Sequence, residues 1–186
     1  MRRTCVSRFV ALLRAVNVGG HTRVAMEDLK RVMEAQGFRD VVTYLQSGNA
    51  AFGADDDDPA AMARALESRL ARSTGNQVPV LVLRAEEMQR IVSGNPFLSA
   101  PGTEERSLHV TFLFRPTDGP GFGGIDLPAR AGEQAVRAGR VVYLRLPMGY
   151  GRTRLDNAYF ERVLGTPATT RNWRTVRALA GLAAVG

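Results

Sequence analysis

Residues 7–18, SRFVALLRAVNV, are almost continuously apolar and are closed by Gly19-Gly20. A strand with one wet face alternates polar and apolar side chains, whereas an unbroken run rich in valine and leucine suits a central strand covered on both faces. Such a strand requires neighbours on both sides and packed layers above and below it. Residues 25–36 supply the first layer, because Met26, Leu29, Val32 and Met33 recur at three- and four-residue steps, with Glu27 and Asp28 in the first turn and Gly37 past the end. That is the periodicity and end chemistry of an amphipathic helix. Residues 41–46 and 49–53 read as two antiparallel strands flanking Ser47-Gly48-Asn49, with glycine at the positive-φ position of a tight hairpin. Asp58 followed by Pro59 is a cap and a first helical position, opening a helix that turns Leu66 and Leu70 inward. The four carboxylates of 55–58 read as cap and solvated loop, since neighbouring side chains in extended chain point to alternating sides. A short strand at 78–83 completes a β-α-β-β-α-β order, the ferredoxin-like unit, within a first half spanning 1–84.

Residues 85–106 form a helical connector, its helix stopped at Ser93-Gly94-Asn95-Pro96. The remainder, 107–186, reads as a second α+β half. Leu108, Val110, Phe112 and Phe114 alternate on a strand, 119–124 is a flexible loop, Val136 and 141–146 flank a turn at Ala138-Gly139, and two helices over 155–164 and 170–184 end the chain. The expected fold class is α+β, two ferredoxin-like halves, the second a degenerate echo of the first with C-terminal helices. A chain of 186 residues with 45% apolar side chains can bury roughly 70% of its extended surface, enough for one domain or two small halves.

Composition removes several function classes. Cys5 is the only cysteine and His21 and His109 the only histidines, which argues against a disulfide framework or a thiolate zinc site, so no metal and no cofactor are expected. Arg2 and Arg3 before the apolar residues 9–13 imitate a secretory signal, but Arg14 ends the run after five residues, short of the roughly 7 to 15 a signal needs. No stretch approaches the ~20 apolar residues of a membrane span, so a cytoplasmic protein with no membrane partner is expected.

Of the 25 basic residues only Lys30 is lysine, a bias that reads as GC-rich coding. Placement is more informative: residues 1–105 carry 13 basic and 13 acidic side chains, whereas 106–186 carry 12 against 5, so the net charge of +7 lies C-terminally. An arginine-rich surface suits carboxylate and phosphate ligands because the guanidinium fork gives two parallel hydrogen bonds. A solvated face would carry the same charge.

The polar residues at element ends are the candidate ligand groups. Arg14 and Asn17, with Gly19 and Gly20, close the first strand where a glycine turn meets a helix start, a place where backbone amides attract anions. The glycines match neither the dinucleotide fingerprint nor the P-loop. Gln46, Ser47 and Asn49 sit at the hairpin tip, Arg152 and Arg154 on a glycine-rich strand-to-helix segment, and Arg171 and Asn172 at the expected start of the last helix, where a cation opposes the helix dipole. At least two of three groups, Arg14 with Asn17, Gln46 to Asn49, and Arg171 with Asn172, are expected to line one basic cleft together with Arg152 or Arg154 and to hold a phosphate or carboxylate there. Trp173 in that helix reads as a core anchor, and His109 as a structural residue on an outward-facing position. His21 is the only acid or base in the glycine turn, and no nucleophile elbow is present, so no catalytic residue is assigned.

The ordered blocks FVALLRAVNVGGHTRVAMEDL, TYLQSGN, NPF, GRVVYLRLP and GTPATTRNWRTVRAL, from about Arg8 to Leu179, resemble the bacterial domain-of-unknown-function family 1697. The resemblance implies an α+β arrangement of ferredoxin-like pieces and brings no catalytic residue with it. The chain departs from the family's pattern at Ala15, where the family usually has glycine, and at Arg152-Thr153-Arg154-Leu155, where it more often has serine-lysine-leucine. The first puts a methyl group beside the strand; the second keeps the positive charge. The function expected is binding of a phosphate-bearing partner, a small molecule such as a nucleotide or a nucleic-acid backbone. An enzyme acting on a small anionic metabolite and an interaction protein without a ligand stand as alternatives.

Overall fold

The apolar run becomes β1 (Ser7–Leu13), whose residues Phe9, Val10, Ala11, Leu12 and Leu13 are wholly buried, as a strand covered on both faces requires. The computed structural model describes residues 6–17, 22–55, 58–116, 122 and 127–185, and these divide into two units. Gly19, Gly20, His21, Cys5 and most of the 119–124 loop lie outside the described residues.

Unit 1 comprises Met1–Arg90 and Ala178–Gly186. After β1 come α1 (Met26–Glu34), β2 (Arg39–Thr43), β3 (Asn49–Ala54), α2 (Pro59–Thr74), β4 (Val80–Arg84) and the first turns of α3 (Ala85–Ser93). The sheet order is β2-β3-β1-β4, antiparallel throughout, with β1 central. Helices α1 and α2 cover one face, burying Leu29, Met33, Met62, Leu66 and Leu70 against Phe9, Ala11, Ala50 and Phe52. The start of α2 is as expected: Pro59 occupies the first turn and Asp58 Oδ1 accepts from the N–H of Ala60 at 2.9 Å.

The first strand is shorter than its hydrophobicity suggested. It ends at Leu13, and Ala15 (φ 54°) and Asn17 (φ 56°) are left-handed, so 14–17 is a turn rather than more strand. The hairpin also differs. Gly48 takes positive φ (72°) as expected, but 44–48 all lie between the strands, so the connection is a five-residue loop and not a two-residue turn. Gly48 is required twice over, since a Cβ there would lie 2.5 Å from Val16 Cγ2 and 2.7 Å from Leu13 Cβ.

Unit 2, Ile91–Arg177, contains β5 (Leu108–Leu113), β6 (Gln134–Ala138), β7 (Val141–Arg145), α4 (Asn157–Leu164) and β8 (Ala168–Asn172), followed by the first turns of α5 (Trp173–Ala184), whose later residues belong to unit 1. Its sheet order, β6-β7-β5-β8, repeats that of unit 1. The architecture is α+β: two four-stranded antiparallel sheets and five α-helices among the described residues.

Strand β8 was not expected. Residues 168–172 pair with β5, with Thr111 opposite Thr170 and Val110 opposite Arg171, so Arg171 and Asn172 close a strand, and the helix starts at Trp173. The conflict between Arg171 and a helix dipole therefore does not arise. Asn172 accepts instead at the helix start, from the N–H of Thr175 at 2.8 Å. Trp173 is buried, as a core anchor should be.

Candidate functional site

The left-handed turn after β1 is held by one side chain. Asn17 donates from Nδ2 to the carbonyls of Val24 (2.8 Å) and Gln46 (2.6 Å), and its Oδ1 accepts from the N–H of Val24 (3.0 Å). Asparagine tolerates this backbone better than other residues with a Cβ, and its amide has the donors and acceptor to join three segments. The clip fixes the chain entering α1 and the β2–β3 loop around a hollow of about 330 Å3 lined by Asn17, Thr22, Arg23, Val24, Ala25 and Gln46.

Ala25 occupies the N-cap position of α1 and provides no side-chain cap, so the first amides of the helix lack the acceptor that serine or aspartate would supply. Arg23 and Gln46 are exposed on the wall, and Arg23 forms no ion pair among the described residues. Glu27 and Asp28 answer the helix dipole from the first turn, Asp28 also being held by Arg31. The hollow thus combines a helix N-terminus, a guanidinium and a carboxamide, groups that can together hold an anionic oxygen.

The other unit 1 candidates serve the scaffold. Asn49 is fully buried and donates from Nδ2 to the Tyr44 carbonyl (2.8 Å) and to Ser47 Oγ (2.9 Å), which closes the loop. The N–H of Arg14 donates to the Pro79 carbonyl at 2.9 Å, tying the turn to the chain entering β4.

Arg152, Arg154, Arg171 and Asn172 belong to unit 2. Arg171 is buried and donates from Nη1 to Thr169 Oγ1 (2.7 Å) and to the Thr170 carbonyl (2.9 Å). Burial pulls its pKa down to about 10, against an opposing pull from Tyr150, so it stays charged at neutral pH. Arg152 and Arg154 are exposed and form no ion pair among the described residues.

Sequence reasoning missed the polar cluster beside them. Thr111 and Thr170 share a hydrogen bond of 2.7 Å, Thr170 donates to Asn157 Oδ1 at 2.7 Å, and Tyr150 Oη accepts from the N–H of Asn157 at 3.0 Å. Burial raises the pKa of Tyr150, partly offset by its hydrogen bonds to Thr170 and Asn157. His109 is not outward-facing as expected: it is buried, its ring stacks on Tyr150 with centroids 5.6 Å apart, and desolvation lowers its pKa, with a weaker opposing effect from the Ser107 carbonyl. The signal for the cluster was the β-branched pair Thr169-Thr170 after a helix ending at Gly165, which repeats the helix, glycine, strand, helix succession of unit 1.

Among the described residues no three of histidine, cysteine, aspartate or glutamate gather as metal ligands, and no helix is long and apolar enough to cross a membrane.

Comparison with known proteins gives a family and a fold. A family model described as "Protein of unknown function (DUF1697)" matches residues 6–143, from the start of unit 1 into β7. No curated protein matches. Among solved structures, the chain is similar to the conserved bacterial protein SP0830 from Streptococcus pneumoniae, with a TM-score of 0.70 and 20% identity over 95% of this chain and 98% of that one. At that identity the likeness is one of fold.

Proposed function

The chain belongs to the DUF1697 family of proteins of unknown function, and from that premise we propose that it is a cytoplasmic binding protein for a small phosphate- or carboxylate-bearing molecule, held where α1 begins. One observation carries this reading: the hollow of about 330 Å3 at the start of α1 is lined by Arg23, which has no ion pair among the described residues, and by Ala25, which leaves the helix without a side-chain cap. Amides at a helix start and an arginine fork both favour an anionic oxygen over water. Asn17 holds the walls, and Gln46, which also lines the hollow, carries a carboxamide able to donate. The concavity is local, which favours the phosphate of a small molecule such as a nucleotide over a nucleic-acid backbone, whose charges are spread along a strand.

A thermal-shift screen of nucleotides, sugar phosphates and carboxylates tests it, because a ligand preferring the folded state raises the melting temperature. The expected result is a stabilising ligand whose affinity falls about tenfold or more in Arg23→Gln, since charge-assisted hydrogen bonds contribute roughly 1.5 to 3 kcal/mol. If no anion in the screen shifts the transition, or the shift survives Arg23→Gln intact, the reading fails.

A further inference from the structure

Over residues 1–105 acidic and basic side chains balance at 13 each. Against that neutrality, three arginines line one hollow of about 450 Å3 between two helices of unit 1: Arg31 from α1, and Arg69 and Arg72 from α2, together with Val32, Ala35 and Ser73. Helical geometry produces the convergence. Arg69 and Arg72 are three residues apart on α2, and Arg31 and Ala35 four apart on α1, so each pair shares a helix face. Both helices are anchored by buried Leu29, Met33, Leu66 and Leu70, so the two walls are fixed and only the arginine tips adjust.

None of the six lining residues is a carboxylate. Of the acids of these helices, Asp28 pairs with Arg31 itself, Glu34 with Lys30 at 3.9 Å, and Glu67 accepts from the N–H of Val80 at 2.8 Å. Arg69 and Arg72, both exposed, form no ion pair among the described residues. Asp28 offsets Arg31, so the uncompensated charge over the hollow is that of Arg69 and Arg72, and two like charges drawn together repel unless an anion lies between them.

We propose that this hollow between α1 and α2 is a second binding site, for a ligand carrying two or more phosphate groups. Arg69 and Arg72 bring two guanidinium forks on one wall and Arg31 a third, shared with Asp28, on the other, which suits anionic groups spaced along a molecule. The site shares no lining residue with the one at the start of α1.

Isothermal titration of the full chain with inorganic tripolyphosphate at low salt tests the proposal, and Arg69→Gln/Arg72→Gln is the decisive variant. Binding should weaken by about tenfold or more in that double variant, as expected when two charge-assisted contacts are removed, and stay unchanged in Arg64→Gln, an exposed arginine of α2 outside the hollow. Arg69→Lys/Arg72→Lys, which keeps the charge, should bind more tightly than the glutamine pair. Sedimentation with vesicles containing phosphatidylinositol bisphosphate tells a lipid headgroup from a free polyphosphate as the source of the same chemistry. Absence of tripolyphosphate binding, or equal affinity in the wild type and the glutamine double variant, overturns the site.

Discussion

At the scale of single residues, Ala15 stands where the resemblance in sequence leads one to expect glycine, and its backbone is one that glycine favours. At φ 54° it adopts a conformation that glycine takes freely and alanine does not. The consequence of the missing glycine is therefore conformational, not the crowding beside a strand that the sequence suggested, since Ala15 is exposed. Ala15→Gly should stabilise the protein by about 0.5 to 1 kcal/mol, the left-handed penalty of alanine less the extra entropy glycine loses on folding. Urea denaturation checks this, and the sign decides: were the strand to continue through residue 15, glycine would destabilise it. Asn17 next to it was legible as a polar residue at a strand end. Its task as a clip was not, because its acceptor Gln46 lies 29 residues away. Arg23 escaped notice because one exposed arginine among 25 basic residues carries no local signature.

At the scale of elements, β8 shows why a strand made of threonine and arginine hides in a sequence. Its Ala168, Thr170 and Asn172 occupy one face and Thr169 and Arg171 the other, so neither hydrophobic period appears, although every residue pairs with β5. The hydroxyl chain from Thr111 through Thr170 to Asn157 joins β8 to β5 and α4. Thr170→Val keeps shape and strand preference but removes that hydroxyl, leaving a buried Thr111 and the Asn157 carboxamide each short of a partner. The expected loss is about 1 to 3 kcal/mol, read as a lower denaturation midpoint with an unchanged slope. A near-neutral result would mean that Thr170 belongs to a solvated helix start after all. By contrast α1 and α2 were legible to within a few residues, because apolar spacing, the Asp58-Pro59 cap and Gly37 are written in neighbouring positions.

At the scale of the whole molecule, two units repeat one sheet order with charge divided unevenly: residues 91–177 hold 12 arginines against seven acids. That excess is what a nucleic-acid backbone would seek, so salt dependence separates a backbone binder from a pocket. A small phosphate ligand at the start of α1 should lose less than about tenfold in affinity between 50 and 200 mM salt, whereas a binder making 6 to 10 phosphate contacts loses roughly a thousandfold or more. A steep slope measured by titration would move the function from the hollow to the arginine surface. By itself the sequence determined the α+β class, the buried central strand, the amphipathic helices α1 and α2 and the Asp58-Pro59 start of the latter, since each rests on periodicity or end chemistry among near neighbours. Tertiary structure alone decided where β1 stops, that 168–172 is a strand, and that His109 and Arg171 are buried. Those outcomes depend on hydrogen bonds and packing against segments tens of residues away, as between Thr111 and Thr170, 59 positions apart, and such pairing outweighs the weak local preference of a polar segment.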